Sequence, residues 1–413
     1  MRAFAGKLAA LRSFGCSVEP DASARRAELD RLRHQIERMI GAQPLKRREP
    51  RRLPFEPEET GHGPCHLRRV ELGLVERLGG IALERALMID LAMMALLSLT
   101  PALAGCDVER ALFLDLETSG LGGGTGNVAF LAGVCFYDRG RQRHVLEQLL
   151  LRDPEHEPAL LERLHARLAE ADLWVSYNGK SFDLPVLRAR FVMNRMPPPP
   201  ERPQLDLLHV ARRVHRHRSY KKALKTIERE VLGHDRGLDI AGSEGAIRYQ
   251  HYLRTGDEAA LQGVVEHNAQ DVLSLVALLA VYGAPSQAWL PAEELASMAR
   301  VVRRAGDLQA ARDLAERAVA NGAGVLGRRA RAEIAKALGD RAQAIEDLEA
   351  VVEEASEPVV RLELAKLYEH HLKRPDLALR LIDEGTSEKP ELDARRRARL
   401  ERKAAKERAR EGA

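Results

Sequence analysis

The 413-residue sequence predicts an α/β domain on a mixed sheet, followed by an all-α domain of repeated helical hairpins. Three observations carry this. Three strand-like runs follow one another through turns between residues 111 and 151. A helix, a short apolar strand and a mainly helical stretch to Tyr282 come next, which is an α/β layered pattern. Beyond 290, alanines recur at Ala311, Ala344 and Ala378, spaced 33 and 34 residues apart and each early in the second helix of a pair.

The elements follow in order. Leu29, Leu32, Ile36 and Ile40 fall at helical spacing among arginines, so residues 22–41 read as a basic helix. It is either a solvated helix packed by one stripe or a nucleic-acid-binding arm. Residues 43–64 carry several prolines and mixed charge and read as a linker. Leu67 to Leu74 alternates like a strand, and Ile81 to Leu99 reads as helix. Ala111 to Asp115 is a buried strand ending in acid, followed by a glycine-rich turn from Gly120 to Gly126. Asn127 to Tyr137 is a second strand, Asp138-Arg139-Gly140 a turn, and Val145 to Leu151 a third strand. A helix over 156–171 precedes a short strand at Leu173 to Tyr177. Asp183 to Asn194 is helical until Pro197 to Pro200 stop it.

From 290 to 386, Gly306-Asp307, Gly339-Asp340 and Arg374-Pro375 mark turns inside successive helix pairs. That period is the one of tetratricopeptide-type hairpins, which bury their apolar faces by stacking; the other reading is an irregular helical bundle. The charged tail after Glu388 reads as a solvated helix or a disordered segment. The expected organisation is therefore a basic helix and linker (1–59), the α/β domain (60–285), the helical repeats (286–387) and the tail (388–413).

Composition excludes several classes. A net charge of +4 with 31% charged residues says little about partners, so any nucleic-acid surface rests on local clustering. The four cysteines lack C-x-x-C spacing, which argues against a disulfide framework or zinc site and for a reducing cytoplasm. Lys7 and Arg12 interrupt any signal core, and the apolar run Leu91 to Leu99 is too short for a bilayer. The expectation is a cytoplasmic protein without membrane contact.

The chemistry gathers on acids. Asp115 and Glu117 lie two apart on a strand, so both side chains share one face. Neighbouring carboxylates repel unless a cation neutralises them, and hard oxygen ligands suit Mg²⁺ or Mn²⁺. The alternative is a solvent-facing pair at a strand end. Asp183 opens a helix after Asn178-Gly179 and is equally readable as an N-cap. His267 and Asp271 lie four apart on a predicted helix and share a face, as an exposed pair also would.

The run Leu114-Asp115-Leu116-Glu117-Thr118, then Asn178-Gly179-Lys180-Ser181-Phe182-Asp183-Leu184-Pro185, then His267-Asn268-Ala269-Gln270-Asp271-Val272 resembles the DEDD superfamily of 3′→5′ exonucleases on a ribonuclease H-like fold. Gly122 to Gly126, Leu205-Asp206-Leu207-Leu208-His209 and Tyr252 to Asp257 are similar to the bacterial YprB-like exonuclease-type domain. The resemblance covers about residues 60–282 and implies an α/β ribonuclease H-like domain with a mixed sheet, ahead of the all-α tetratricopeptide-like repeats. It implies that Asp115, Glu117, Asp183 and Asp271 bind two metal ions, and that His267 orients or deprotonates the attacking water. It also implies that Asn178 and Phe182 hold and stack the terminal nucleotide, and that the glycine loop lets backbone approach the strand end closely, with Thr118, Gly124 and Thr125 substrate-binding; the other reading of the loop is a flexible hairpin turn with no ligand. In the better-known branches the last motif is tyrosine with three residues before the aspartate, or histidine with four; here it is histidine with three. The base role of His267 therefore stands beside a purely water-positioning one.

Two more features bear on substrate. Arg212, Arg213, His215, Arg216, His217, Arg218, Lys221, Lys222 and Lys225 cluster with little acid among them; they track a phosphate backbone or form a solvated face. Lys221 and Lys222 are the substrate-binding candidates. Asp206 is either a fifth acid near the metals or the cap of the next helix. The leading expectation is a metal-dependent exonuclease on single-stranded DNA or RNA. The alternatives are a nucleic-acid-binding module without turnover and a helical-repeat scaffold for protein partners.

Overall fold

The structure, a computed structural model, describes residues 52–73, 75–120, 126–237, 239–240, 242, 244–285 and 290–411. Contacts divide the chain into Met1–Arg52 and Leu53–Ala413. The helix expected over 22–41 and the turn residues Gly124 and Thr125 lie outside the described residues.

The described chain enters through a hairpin, β1 (Glu56–Thr60) and β2 (Gly63–Glu71), where prolines and charges read as a linker. Pairing explains the difference: β1 adds to β2, and β2 to the strand at 143–150, so the charged side chains sit on a sheet edge. A short ribbon, β3 (Arg77–Leu78) with β4 (Ile81–Ala82), follows. The single helix expected from Ile81 to Leu99 is instead this ribbon's end, a 3₁₀ segment Leu83–Met88, and α1 (Leu91–Ser98). Asp90 starts α1 anew, its carboxylate accepting from the Met93 N–H at 3.0 Å.

The central strand β5 (Ala111–Thr118) is followed by β6 (Ala129–Asp138), β7 (Arg143–Leu150), α2 (Glu157–Glu170), β8 (Leu173–Ser176) and α3 (Asp183–Met193). Next come β9 (Gln204–Asp206), which the sequence did not announce, α4 (Leu207–Val214), a single turn α5 (Leu224–Ile227), α6 (Glu244–Thr255) and α7 (Gln262–Tyr282). One seven-stranded sheet runs β1-β2-β7-β6-β5-β8-β9. β5 pairs antiparallel with β6 and parallel with β8, and β8 pairs parallel with β9. The sheet is thus mixed, and its order from β7 to β9 is ribonuclease H-like.

β5 is buried on both faces, and its alternation assigns them. Leu112, Leu114 and Leu116 join Leu160, Leu161, Leu164 and Leu168 of α2 in one core. Ala111 and Phe113 join Val272, Leu275 and Leu279 of α7 in the other. The same parity carries Asp115 and Glu117 onto the α7 side, where that face turns from apolar to acidic. Together with the turn before it, α7 is long and apolar enough to cross a membrane (Glu258–Tyr282), a longer run than Leu91 to Leu99; 67% of its most apolar window is buried in this fold.

A run of packed helices follows: α8 (Ala292–Ala305), α9 (Leu308–Ala320), α10 (Gly324–Leu338), α11 (Arg341–Glu354), α12 (Pro358–Leu367), α13 (Pro375–Asp383) and α14 (Pro390–Glu411). The Gly-Asp turns work through two caps. Gly306 and Gly339 take positive φ at the C-caps of α8 and α10. Asp307 and Asp340 accept from the Ala310 and Gln343 N–H groups at 2.9 and 3.1 Å. Ala311, Ala344 and Ala378 are fully buried where paired helices meet. Core cluster α7, α8, α9 and α10 is continuous, so the first hairpin shares the core of the sheet domain. The tail, expected as a solvated helix or a disordered segment, is a largely exposed helix that docks at one side: Leu400 of α14 is buried, and Arg396, Arg399 and Lys403 surround the buried Glu369.

Ala344→Leu forces a larger side chain into the contact of α10 with α11. Overpacking of this kind costs about 1–3 kcal/mol, so the urea midpoint falls; an unchanged midpoint would contradict close packing through this alanine.

Candidate active site

The site lies where β5 ends. Asp115 and Glu117 project from β5 toward α7, Asp183 opens α3, and His267 and Asp271 stand one turn apart on α7. Glu117 and Asp183 are almost fully buried. Electrostatics link the acids: burial first, then repulsion from Asp271, Asp183 and Glu117, pushes Asp115 well above the ordinary carboxylate range, against a hydrogen bond from Asn268. Burial, Asp271, Asp183 and Asp239 push Glu117 up to about 8, with Arg236 opposing. Burial and Asp206 push Asp183 to about 7. Burial raises Asp271 too, while Arg236 and His267 pull it down.

Asn268 ties the helix to the strand. Its amide nitrogen donates to the Asp115 carbonyl at 3.2 Å and to Asp115 Oδ2 at 2.9 Å. Its oxygen accepts from Gln148 Nε2 at 2.9 Å, and the same nitrogen donates to the Val265 carbonyl at 2.8 Å. Gly133, opposite Asp115 on β6, makes room: a Cβ there would stand 2.2 Å from Asn268 Oδ1. A glycine inside an otherwise apolar strand is the signal that marks such an approach. Gly245 is similarly confined, since a Cβ would stand 2.9 Å from Glu117 Oε2.

The second motif is a tight turn. Asn178 takes φ +68°, and its N–H donates to Asp206 Oδ1 at 2.8 Å; the Lys180 N–H donates to Asp206 Oδ2 at 3.2 Å. Asp206 also accepts from the Leu208 N–H at 3.1 Å. It is therefore the cap of α4 and the clamp of the 178–180 turn. A Cβ on Gly179 would stand 2.3 Å from Ser176 Oγ, so the turn needs glycine there. Asn178 is exposed and Phe182 half-buried at the mouth. Thr118 is buried, and its hydroxyl donates to the Gly120 carbonyl at 2.8 Å, so it shapes its own turn.

A loop segment missed by sequence reasoning completes the third motif. His267 Nδ1 lies 2.7 Å from Asp239 Oδ1 and 3.3 Å from Arg236 Nη1, and its Nε2 lies 3.6 Å from Asp271 Oδ2. The buried Arg236 guanidinium pairs with Asp271 Oδ1 and with both oxygens of Glu228, one of them through Nε at 2.6 Å. Burial raises Asp239, but the hydrogen bond and charge of His267, with Arg236 and Lys225, leave it below the ordinary carboxylate range.

The basic cluster divides. Arg213 donates to the Leu97 and Ser98 carbonyls at the end of α1. His215, His217 and Arg218 gather on the buried Glu294 of α8. Lys222, expected on substrate, places its ammonium on the Arg218 and Tyr220 carbonyls at 2.8 and 2.7 Å and over the Tyr220 ring. Arg212 and Lys221 remain exposed; with Tyr177, Asn178 and Tyr220 they line a groove of about 530 Å³ that reaches the second motif.

The donor set fits a divalent cation: oxygen ligands only, mutually repelling and held near one another by burial. Among the described residues no three His, Cys, Asp or Glu side chains converge at ligand range. Asn268 holds Asp115, and Arg236 holds Asp271.

The sheet order is ribonuclease H-like, and residues 112–282 match the model of the RNase_H superfamily. Among individual proteins, the chain is 36% identical over 220 residues to the uncharacterized protein YprB of Bacillus subtilis (strain 168), across 52% of this chain and 52% of that one. The chain thus spans about half the length of the curated relative it matches.

A carboxyl with a raised folded pKa holds extra protons in the folded state, so stability falls as pH rises through the window between the unfolded and folded values. For Glu117 that window runs from 4.5 to about 8, and for Asp183 from 3.8 to about 7. The denaturation midpoint of chelated protein should drop from about pH 5 to about pH 8, with Mg²⁺ restoring more at the higher value. A midpoint independent of pH and Mg²⁺ would contradict this.

Proposed function

We propose that the chain is a metal-dependent 3′→5′ exonuclease acting on single-stranded DNA or RNA. What supports it is that Asp115, Glu117, Asp183 and Asp271, from three separate motifs, act on one another's charge near the end of β5, with His267 beside Asp271. Family-level likeness supports a nuclease of some kind and a nucleic-acid substrate. The exonuclease assignment rests on the order of the three motifs.

The four carboxylates would hold Mg²⁺ or Mn²⁺, two ions in all; bound there, such ions supply charge stabilisation to a phosphodiester and to its leaving oxygen. Asn178, exposed, and Phe182, half-buried, would hold the terminal nucleotide. His267 takes a proton from the attacking water through Nε2. The water oxygen bonds to phosphorus, the bond to the 3′ oxygen of the preceding nucleotide breaks, that oxygen takes a proton from solvent to become a 3′-hydroxyl, and a nucleoside 5′-monophosphate leaves. Arg212 and Lys221 face the strand along their groove, and Lys222 builds its wall.

The helix pairs from α8 to α13, each with a buried alanine at a period of 33 or 34 residues, support a tetratricopeptide-like array that recruits a protein partner.

Purified protein with 5′-labelled single strands and Mg²⁺ or Mn²⁺ should shorten both polymers stepwise, and chelation should stop it. Asp115→Ala should slow it more than about 100-fold, beyond what outer-shell partners of a metal site cost. No shortening of either polymer under any metal would sink the reading. Removing both Arg212 and Lys221 side chains should flatten the dependence of binding on salt, by roughly 0.7 in log–log slope per lost phosphate contact. A uniform, salt-independent loss would remove the groove from the substrate path.

A further inference from the structure

We propose that Asp239 is a positioning residue that fixes the tautomer of His267, with Arg236 holding Asp239 in place. The consequence for hydrolysis rests on the exonuclease reading; the tautomer does not.

Two groups compete for His267 Nδ1. A carboxylate only accepts and a guanidinium only donates, so they demand opposite states of that nitrogen. Asp239 Oδ1 stands at 2.7 Å, the length of a strong hydrogen bond, whereas Arg236 Nη1 stands at 3.3 Å. A bare Nδ1 would set its lone pair against a carboxylate oxygen at the shorter distance. Nδ1 therefore carries the hydrogen and donates to Asp239. Arg236 Nη1 then serves the other oxygen of Asp239 at 3.4 Å.

The neutral ring is left with its lone pair on Nε2, which faces Asp271 Oδ2 at 3.6 Å. Arg236 occupies the opposite oxygen of Asp271, so Oδ2 and Nε2 form a pair of acceptors on the open side. Glu228 anchors Arg236, and Lys225 stands 3.8 Å from Asp239 Oδ2. Among the described residues, the charged groups paired with His267 are Asp239, Arg236 and Asp271. The three-residue spacing between His267 and Asp271 places the two acceptors side by side, and a residue from another element supplies the orientation.

The test uses the full chain with ¹⁵N-labelled histidine, free of metal, at a pH raised until the spectra themselves show a neutral His267 ring. Two-bond nitrogen–proton spectra report the tautomer, and His267→Gln identifies the signals by their loss. The native protein should show His267 as the Nδ1–H form. In Asp239→Ala the Arg236 guanidinium captures Nδ1 and the ring changes to Nε2–H. Asp239→Asn, whose amide oxygen still accepts, should keep the native form. On an active protein, Asp239→Ala should lower kcat by roughly 10²–10⁴-fold, the range of general-base catalysis, with KM little changed. A native Nε2–H ring, or a tautomer indifferent to Asp239→Ala, overturns the proposal. Absence of hydrolysis by the native protein would instead overturn the exonuclease reading and leave the spectra to decide this one.

Discussion

Asn268 reaches Asp115 across the neighbouring strand, through a gap that stays open because position 133 is glycine. That contact fixes how α7 lies on the sheet. Its amide satisfies the Asp115 carboxylate and carbonyl on one side and Gln148 on the other, all in a buried setting where an unmatched polar group is costly. Once Asn268 is placed, its neighbours His267 and Asp271 follow from the helical repeat. One points toward the loop carrying Asp239 and the other toward the acids of β5 and α3.

The same face explains why the acids are costly and why they stay. Phe113 and Asp115 differ by one step along β5, yet the first belongs to a dry core and the second faces other carboxylates. Asp115 itself is half-buried, and Leu114 and Leu116 lock the strand from the other side. Arg236 offsets part of the repulsion from a loop, and Glu228 keeps it there. Asp206 works differently: its oxygens are spent on backbone N–H groups, which is why it shapes the Asn178 turn. The helical region is joined just as firmly, with His215 bridging Tyr282 of α7 and Glu294 of α8 inside the shared core.

Much of this was legible beforehand, for stated reasons. β5, β6, β7, α2 and α3 carry periodicities that match their burial, and the Gly-Asp turns carry their caps in the two residues themselves. β9 was not legible, since three residues next to a proline-rich stretch hold too little pattern, and its strand character comes from pairing with β8. The β1–β2 hairpin hid behind edge-strand charge. The basic cluster misled because charge along a chain does not say which way a side chain turns. Arg213, His215, His217, Arg218 and Lys222 turn inward, onto carbonyl groups and Glu294, leaving Arg212, Arg216, Lys221 and Lys225 outward.

By itself the sequence determined the ribonuclease H-like character, the candidate carboxylates and the helix pairs, because these depend on residue type and on the spacing and order of short motifs. Only the tertiary structure decided what sits against them. Asn268 meeting Asp115, Asp239 meeting His267 and Arg236 meeting Asp271 join residues 153, 28 and 35 positions apart. No local pattern encodes such partners. They are selected by how α7 packs on the sheet and by the need to match each buried polar atom with a donor or acceptor.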